Sequence, residues 1–210
     1  MKRVITIASI VCALSVALPV AQAAKAKKKD KGGTDVFAQF DKNGNGVLDA
    51  DEKEAIQKAF KAFTGVEHRL EECGTRKGLR CVNDSKATNV DSTLVALRTM
   101  PEDRSVLLIL GGRPKGGGYK PLRGPVERSV KAVLTIGEAA ARVEEDLQGA
   151  APAFPCETLE QAVRVAFQIG QKGETLLLSP ACASFDQFRD YEDRGRRFKA
   201  LLDELGGKPK

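Results

Sequence analysis

The sequence predicts an α/β fold, a three-layer sandwich in which a mostly parallel sheet lies between helices. Three observations carry that prediction. The runs Ser105–Leu110, Ala132–Ile136 and Thr175–Leu178 are continuously apolar or nearly so, without the alternation of a half-exposed strand. Such runs belong to strands covered on both faces, as in parallel sheets. Each run ends at a turn signal, Gly111-Gly112, Gly137 or Ser179-Pro180, and helix-patterned residues follow. The chain of 210 residues, 42% apolar and 30% charged, has enough core-forming residues for one ordinary domain plus appendages. This combination is Rossmann-like.

In order along the chain, Leu79-Arg80-Cys81-Val82 reads as a strand running into the polar loop Asn83–Asn89. Asp91 or Ser92 is expected to cap a helix carrying Leu94, Val95 and Leu97. The strands at 105–110 and 132–136 come next, the second leading into an Ala-rich helix. A helix is expected from Thr158 to about Gly170, then the strand at 175–178, then a charged helix from about Asp190 to Leu205. Right-handed crossovers put all the strand ends on one side. Ligands of such sheets sit beyond the carboxyl ends of the strands. Those ends are the loops 83–89, 111–119 and 179–188, where the polar residues and glycines collect.

The residues before Gly65 divide into three parts. Met1-Lys2-Arg3, an apolar run from Val4 to Val20 and the small residues Ala21-Gln22-Ala23-Ala24 form the three regions of a secretory signal, residues 1–24. Cleavage after Ala23 or Ala24 predicts a periplasmic or secreted protein with no membrane span once the signal is removed. Residues 25–33, rich in Lys and Gly, read as a solvated linker. Residues 34–63 read as a single EF-hand, and residues 64–210 form the α/β domain. The net charge of +6 resides entirely in Lys2, Arg3 and the run Lys25–Lys31. The balance beyond it is zero, which argues against nucleic acid as a partner.

The stretch Asp41-Lys42-Asn43-Gly44-Asn45-Gly46-Val47-Leu48-Asp49-Ala50-Asp51-Glu52 has the spacing of a twelve-residue calcium loop. Asp41, Asn43 and Asn45 offer side-chain oxygens, Val47 a backbone carbonyl, Asp49 a carboxylate acting through water and Glu52 a bidentate carboxylate. Gly46 makes the sharp turn. Hard oxygen ligands in this number suit Ca²⁺ better than Mg²⁺, which gives up its waters reluctantly. Val36, Phe37 and Phe40 before the loop, and Ala55, Ile56, Ala59, Phe60 and Phe63 after it, supply the flanking apolar faces.

Four cysteines remain after signal cleavage: Cys73, Cys81, Cys156 and Cys182. An oxidising compartment permits three pairings. Cys73 and Cys81 flank a turn-rich stretch between strand-like pieces, which places a cross-strand bridge within reach; Cys156–Cys182 would complete the set. The single His68 allows no Ser-His-Asp set, and no Cys/His spacing suggests zinc. Neither a P-loop G-x-x-x-x-G-K-[ST] nor a G-x-G-x-x-G after a strand occurs.

Four blocks in order resemble a known family. His68-Arg69, Asn83–Asn89, Leu108–Gly112 with Lys115-Gly116, and Ser179–Phe188 look like the C-terminal domain of the Mur ligases. Glu192-Asp193-Arg194-Gly195 with Phe198 continues the match. The nearest likeness is to the members that add D-glutamate to a peptidoglycan precursor using ATP and Mg²⁺. That resemblance implies an amino-acid site at Thr88, Lys115, Ser184, Phe185 and Tyr191, and a nucleotide-facing set at Arg69, Asp84 and Lys86. It departs from the pattern at Gly118-Tyr119, where the family usually has an acidic residue and Phe. The family's UDP-sugar and ATP-phosphate domains have no counterpart in these residues, and phosphoryl transfer depends on such positioning and charge neutralisation. The expectation is therefore an exported calcium-binding protein whose α/β domain retains a pocket for D-glutamate or a peptidoglycan fragment without being a complete ligase. The alternatives are a fragment or partner-dependent form of the ligase, and a calcium-binding scaffold with an inactive pocket.

Overall fold

The structure, a computed structural model, describes residues 40–61 and 65–208. The signal segment, the linker, Val36, Phe37 and Phe63 lie outside the described residues. The chain divides into two units, Met1–Thr64 and Gly65–Lys210. In the first, the loop after Asp41 leads into helix α1 (Ala50–Lys61), whose first turn carries Asp51 and Glu52, where negative charge suits a helix N-terminus.

The second unit is a six-stranded sheet with helices on both faces. Its elements are β1 (Glu71–Arg76), β2 (Leu79–Asn83), α2 (Val90–Arg98), β3 (Val106–Gly111), α3 (Arg123–Ser129), β4 (Val130–Ile136), α4 (Ala140–Leu147), β5 (Ala153–Glu157), α5 (Leu159–Ile169), β6 (Thr175–Leu178) and α6 (Tyr191–Gly206). The strand order is β1-β2-β6-β3-β4-β5, all neighbours parallel except the β1–β2 hairpin. Alternate residues of one strand serve opposite cores. Leu108 and Leu110 of β3 pack with Leu97 of α2, Val126 of α3 and Val143 of α4. Leu107 and Ile109 pack with Leu159 and Val163 of α5 and Phe198 and Leu202 of α6. Burial on both sides explains why these strands lack polar alternation.

The predicted helices start where polar side chains can hold their first free N–H groups. Thr158 accepts the Gln161 N–H at 3.2 Å and Asp190 accepts the Asp193 N–H at 2.6 Å, opening α5 and α6 at the expected places. The α2 cap differs from the expectation. Asn89, not Asp91 or Ser92, is the cap: its extended backbone lets its side-chain oxygen take the Ser92 N–H at 2.9 Å. Two elements were not anticipated. β5 is an edge strand, largely exposed and interrupted by Pro155, a residue that edges tolerate because one side needs no ladder bond. α3 is short and contains Pro125 near its start.

The expected cysteine pairing is also corrected. All four described cysteines are free thiols. Cys73 and Cys81 do face each other's strands, but the β1–β2 register slips between Glu72 and Thr75, and each thiol instead gives its S–H to a carbonyl two residues earlier, at 3.5 Å. Cys156 and Cys182 belong to the cores on opposite faces of the sheet, so a whole layer separates them. Burial pushes the Cys73 thiol up to about 12 and the Cys81 thiol up to about 11. We expect these four thiols to resist alkylation in the native protein at pH 8 and to label fully after denaturation without reductant. Mass spectrometry of the labelled chain reads the result, and a pair that stays unlabelled would reveal a bridge.

Candidate functional site

The crossovers after β2, β3 and β4 place their helices on one face of the sheet, whereas α5 and α6 lie on the other. β6 lies between β2 and β3, and the chain leaves β6 toward the opposite face of the sheet from the one it takes after β2 and β3. This is a topological switch, the place where an open α/β sheet forms a crevice. The loops after β2, β3 and β6 meet there, as the spacing of their polar residues predicts.

Backbone bonds fasten these loops. Arg113 and Ala183 exchange N–H···O bonds of 2.9 and 3.0 Å, joining the β3 loop to the β6 loop. The approach requires glycine at 112: its φ is +128°, and a Cβ there would collide with the Ala183 carbonyl oxygen. The Asp84 N–H donates to the Leu178 carbonyl at 2.8 Å, tying the β2 loop to the end of β6.

Arg194 of α6 binds these segments from beneath. Its side chain is 1% exposed. Nε donates to Ser85 Oγ at 3.0 Å, Nη2 to the Ser85 carbonyl at 2.9 Å, and both terminal nitrogens to the Cys182 carbonyl at 3.1 Å. Nη1 also reaches the Ala183 carbonyl at 3.3 Å. The guanidinium has no carboxylate partner among these contacts, and burial pushes it down to about 10. The sequence reading did not place Arg194 in the site. The available signal was a charged residue in an apolar stripe, since Arg194, Phe198, Leu201 and Leu202 follow helical spacing and are all buried.

The sequence-predicted residues gather into two neighbouring sets. Lys115, exposed on a loop whose Gly116 and Gly117 have positive φ, donates to Thr88 Oγ1 at 3.1 Å across two loops. Ser184 is buried and Phe185 beside it is 60% exposed, on the segment fastened by Arg113–Ala183. Arg69, Asp84 and Lys86 line a second depression, a cavity of ≈ 160 Å³ that also touches Leu70, Ser92 and Val95. Tyr191 joins this second set: Lys86 Nζ donates to its hydroxyl at 2.9 Å and lies 4.8 Å from its ring centroid. Tyr119, at the departure from the family pattern, sends its hydroxyl to within 2.9 Å of Cys182 Sγ. It thereby links the end of the lysine loop to the segment carrying Ser184.

Glu67, His68 and Glu71 form the one group among the described residues whose possible metal-ligating atoms lie within 4.8 Å of one another. Lys199 Nζ already sits between the two carboxylates, at 2.7 and 2.9 Å, so a cation is present there in the form of an ammonium. The carboxylates of the 41–52 loop are instead taken up by donors of the loop itself, Asp49 by the Asn43 side-chain amide at 2.7 Å. Asp41 accepts from Asn45 and Gly46, and Glu52 from Lys42 and Asp49.

The family described as Mur ligase, glutamate ligase domain matches residues 68–182. This chain belongs to the Mur ligase family. The UDP-N-acetylmuramoylalanine--D-glutamate ligase of Elusimicrobium minutum (strain Pei191) is 48% identical over 154 residues, covering 73% of this chain and 34% of that protein. The enzyme of the same name from Anaeromyxobacter dehalogenans (strain 2CP-C) is 50% identical over 152 residues, covering 72% of this chain and 33% of its own. This Mur ligase family member thus spans about a third of the length of the curated relatives it matches. A crystal structure of a murein peptide ligase, mpl, from Psychrobacter arcticus 273-4 aligns with a TM-score of 0.46 and 13% identity, over 75% of this chain and 34% of that one.

Asp84 provides a test of the site's electrostatics. It is 5% exposed, accepts from Ser179 Oγ at 2.8 Å and from the Leu70 N–H at 3.2 Å, and burial nonetheless pushes its carboxyl up to about 6. The folded state therefore holds this proton more tightly than the unfolded chain, whose carboxyl titrates near 3.8. Asp84 contributes most to stability below about pH 4, and that contribution is lost as pH rises through about 6. We expect Asp84→Asn to remove a stability slope of up to roughly 3 kcal/mol between pH 4 and 6. Urea unfolding at pH 4.5, 5.5 and 6.5 measures it; parallel profiles for both proteins would contradict the assignment.

Proposed function

We propose that the unit Gly65–Lys210 binds D-glutamate at the carboxyl edge of its sheet, as the amino-acid side of a Mur ligase site. The observation that supports this most directly is the contact between Lys115 and Thr88, which brings a cation and a hydroxyl from separate loops to one point. Lys115 supplies the charge for a carboxylate, Thr88 and Ser184 supply hydroxyls, and exposed Phe185 supplies an apolar wall. Tyr191 borders the same edge through Lys86. The names of the relatives agree with this substrate class. A peptidoglycan fragment ending in an acidic residue presents the same chemistry.

Calorimetry with D-glutamate should give saturable heat, and Lys115→Ala should weaken binding by at least about tenfold, the worth of a charge-assisted hydrogen bond. Absence of heat from the wild type with any acidic amino acid leaves the scaffold reading. A second reading, a partner-dependent ligase, draws support from Arg69, Asp84 and Lys86 lining one cavity beside the amino-acid set. It requires ATP and Mg²⁺ turnover when the ATP- and UDP-binding domains of a relative are added in trans.

We further propose that the protein is exported, to the periplasm or beyond the cell, and that residues 41–52 bind Ca²⁺. Asp41, Asn43, Asn45, Asp49 and Glu52 would provide side-chain oxygens and Val47 its carbonyl, the ion supplying a cross-link between loop and helix α1. The loop's backbone favours this reading. The side-chain oxygens of Asp41, Asn43 and Asn45 each accept an N–H from within the loop, and Gly44 and Gly46 take positive φ. One hand with two Asn ligands should bind in the range of about 10⁻⁴–10⁻³ M. Millimolar Ca²⁺ should raise the Tm of the unit containing α1 or quench its proteolysis, and Glu52→Gln should abolish the effect. A wild type indifferent to Ca²⁺ would remove the assignment.

A further inference from the structure

The loop that carries Lys115 is fastened at both ends, and its second fastening uses a buried carboxylate outside the candidate site. At the start, Arg113 and Ala183 exchange their backbone bonds. At the end stands Tyr119, 4% exposed and held at two points. Its backbone N–H donates to Asp146 Oδ2 at 2.7 Å, and its hydroxyl lies 2.9 Å from Cys182 Sγ. Asp146 belongs to the last turn of α4, and its side chain is 1% exposed. We propose that Asp146 is a positioning residue for Lys115, fixing the end of the loop 113–119 so that Lys115 stands beside Thr88. The proposal rests on reading Lys115 and Thr88 as the amino-acid site.

Asp146 is an unfavourable residue for its place unless the loop is docked on it. An acid in the last turn of a helix opposes the helix dipole. Burying its charge adds a further cost unless donors are supplied. The Tyr119 N–H is one donor and Arg142 Nε, at 3.3 Å and one turn earlier, is the other. The Tyr119 N–H, with Arg142 nearby, holds the Asp146 carboxyl below the usual carboxylate range.

Gly118 is fitted to the same contact. Gly116 and Gly117 take positive φ, whereas Gly118 does not, so its backbone would accept a side chain. A Cβ there would lie 2.8 Å from Asp146 Oδ2. Glycine at 118 therefore serves the approach of the carboxylate and not the turn. Open space surrounds Gly116 and Gly117, with nothing within 4 Å of a Cβ at either. The two fastenings thus set where Lys115 can reach.

Removing the carboxylate separates position from charge, because the two predict opposite signs. A negative group near an anion site weakens binding by repulsion, so its loss alone would tighten binding of D-glutamate. Loss of the fastening instead lowers the fraction of molecules with the loop in place, and apparent affinity falls by that fraction.

The test uses the whole chain and two readouts, calorimetry with D-glutamate and trypsin cleavage after Lys115. That bond is the only tryptic one in the loop, since Arg113 and Lys120 each precede proline. Asp146→Ala should weaken D-glutamate binding about tenfold. It should also speed cleavage after Lys115 about tenfold relative to cleavage after Lys131 of β4, which reports opening of the whole domain. Asp146→Asn keeps an oxygen for the Tyr119 N–H and should stay within about twofold of wild type in both readouts. Gly118→Ala keeps every charge and should reproduce the Asp146→Ala defect, and combining the two should cost nothing further. If wild type gives no heat with D-glutamate, the amino-acid reading falls and the cleavage rates still decide the fastening. The proposal is overturned if Asp146→Ala binds D-glutamate as tightly as wild type or more tightly. It is equally overturned if the bond after Lys115 is cut no faster in that variant.

Discussion

A buried guanidinium surrounded by carbonyls holds the working edge of this domain together. Leaving a cation inside a protein is costly unless its donors find acceptors, and Arg194 meets that condition with backbone oxygens in place of a carboxylate. The choice of partner matters. A carboxylate would cancel the charge locally and could be satisfied by one side chain moving with it. Carbonyls of Ser85, Cys182 and Ala183 belong to two loops that are far apart in sequence, so satisfying Arg194 fixes both loops at once. Thr88 and Lys86 follow from the first loop and Ser184 and Phe185 from the second.

Rigid footing beneath the edge contrasts with freedom above it. Lys115 stands exposed on a glycine-rich loop, while Asp84, Ser85 and Ser184 are buried below. In the proposed role of meeting a substrate carboxylate, Lys115 would benefit from staying solvated until binding, because its desolvation would then coincide with forming the new pair. The buried polar residues have the other task of remaining still. Ser179 illustrates this, donating to Asp84 and touching Thr93 Oγ1 at 3.1 Å while its carbonyl accepts from Thr93.

Much of the fold was legible because the signals were local and unopposed. Three apolar runs had only one comfortable place, inside a sheet covered on both faces, and Thr158 and Asp190 announced their helices by side-chain chemistry that acts over three residues. The weaker elements were those whose local signals conflict. Pro155 argues against a strand, and β5 exists because the edge beside β4 was available to it. Asn89 outcompeted Asp91 and Ser92 for the cap through backbone geometry that no residue count distinguishes. The cysteine pairing failed for a related reason: compartment and spacing allow bonds, but a bulge in β1 and the thickness of a sheet decide whether sulfurs meet.

The same division runs through the site. Sequence alone determined the fold class and the three loops that carry polar chemistry, because periodicity and turn chemistry are properties of short stretches; Thr88, Lys115, Ser184, Arg69, Asp84 and Lys86 were singled out by the family resemblance. Tertiary structure decided that Lys115 meets Thr88, that Tyr191 stands with Lys86, and that Arg194 underlies them all. Those outcomes depend on which strands become neighbours at the switch beside β6. Strand order is set by packing across the whole sheet, and no short stretch of the chain contains it.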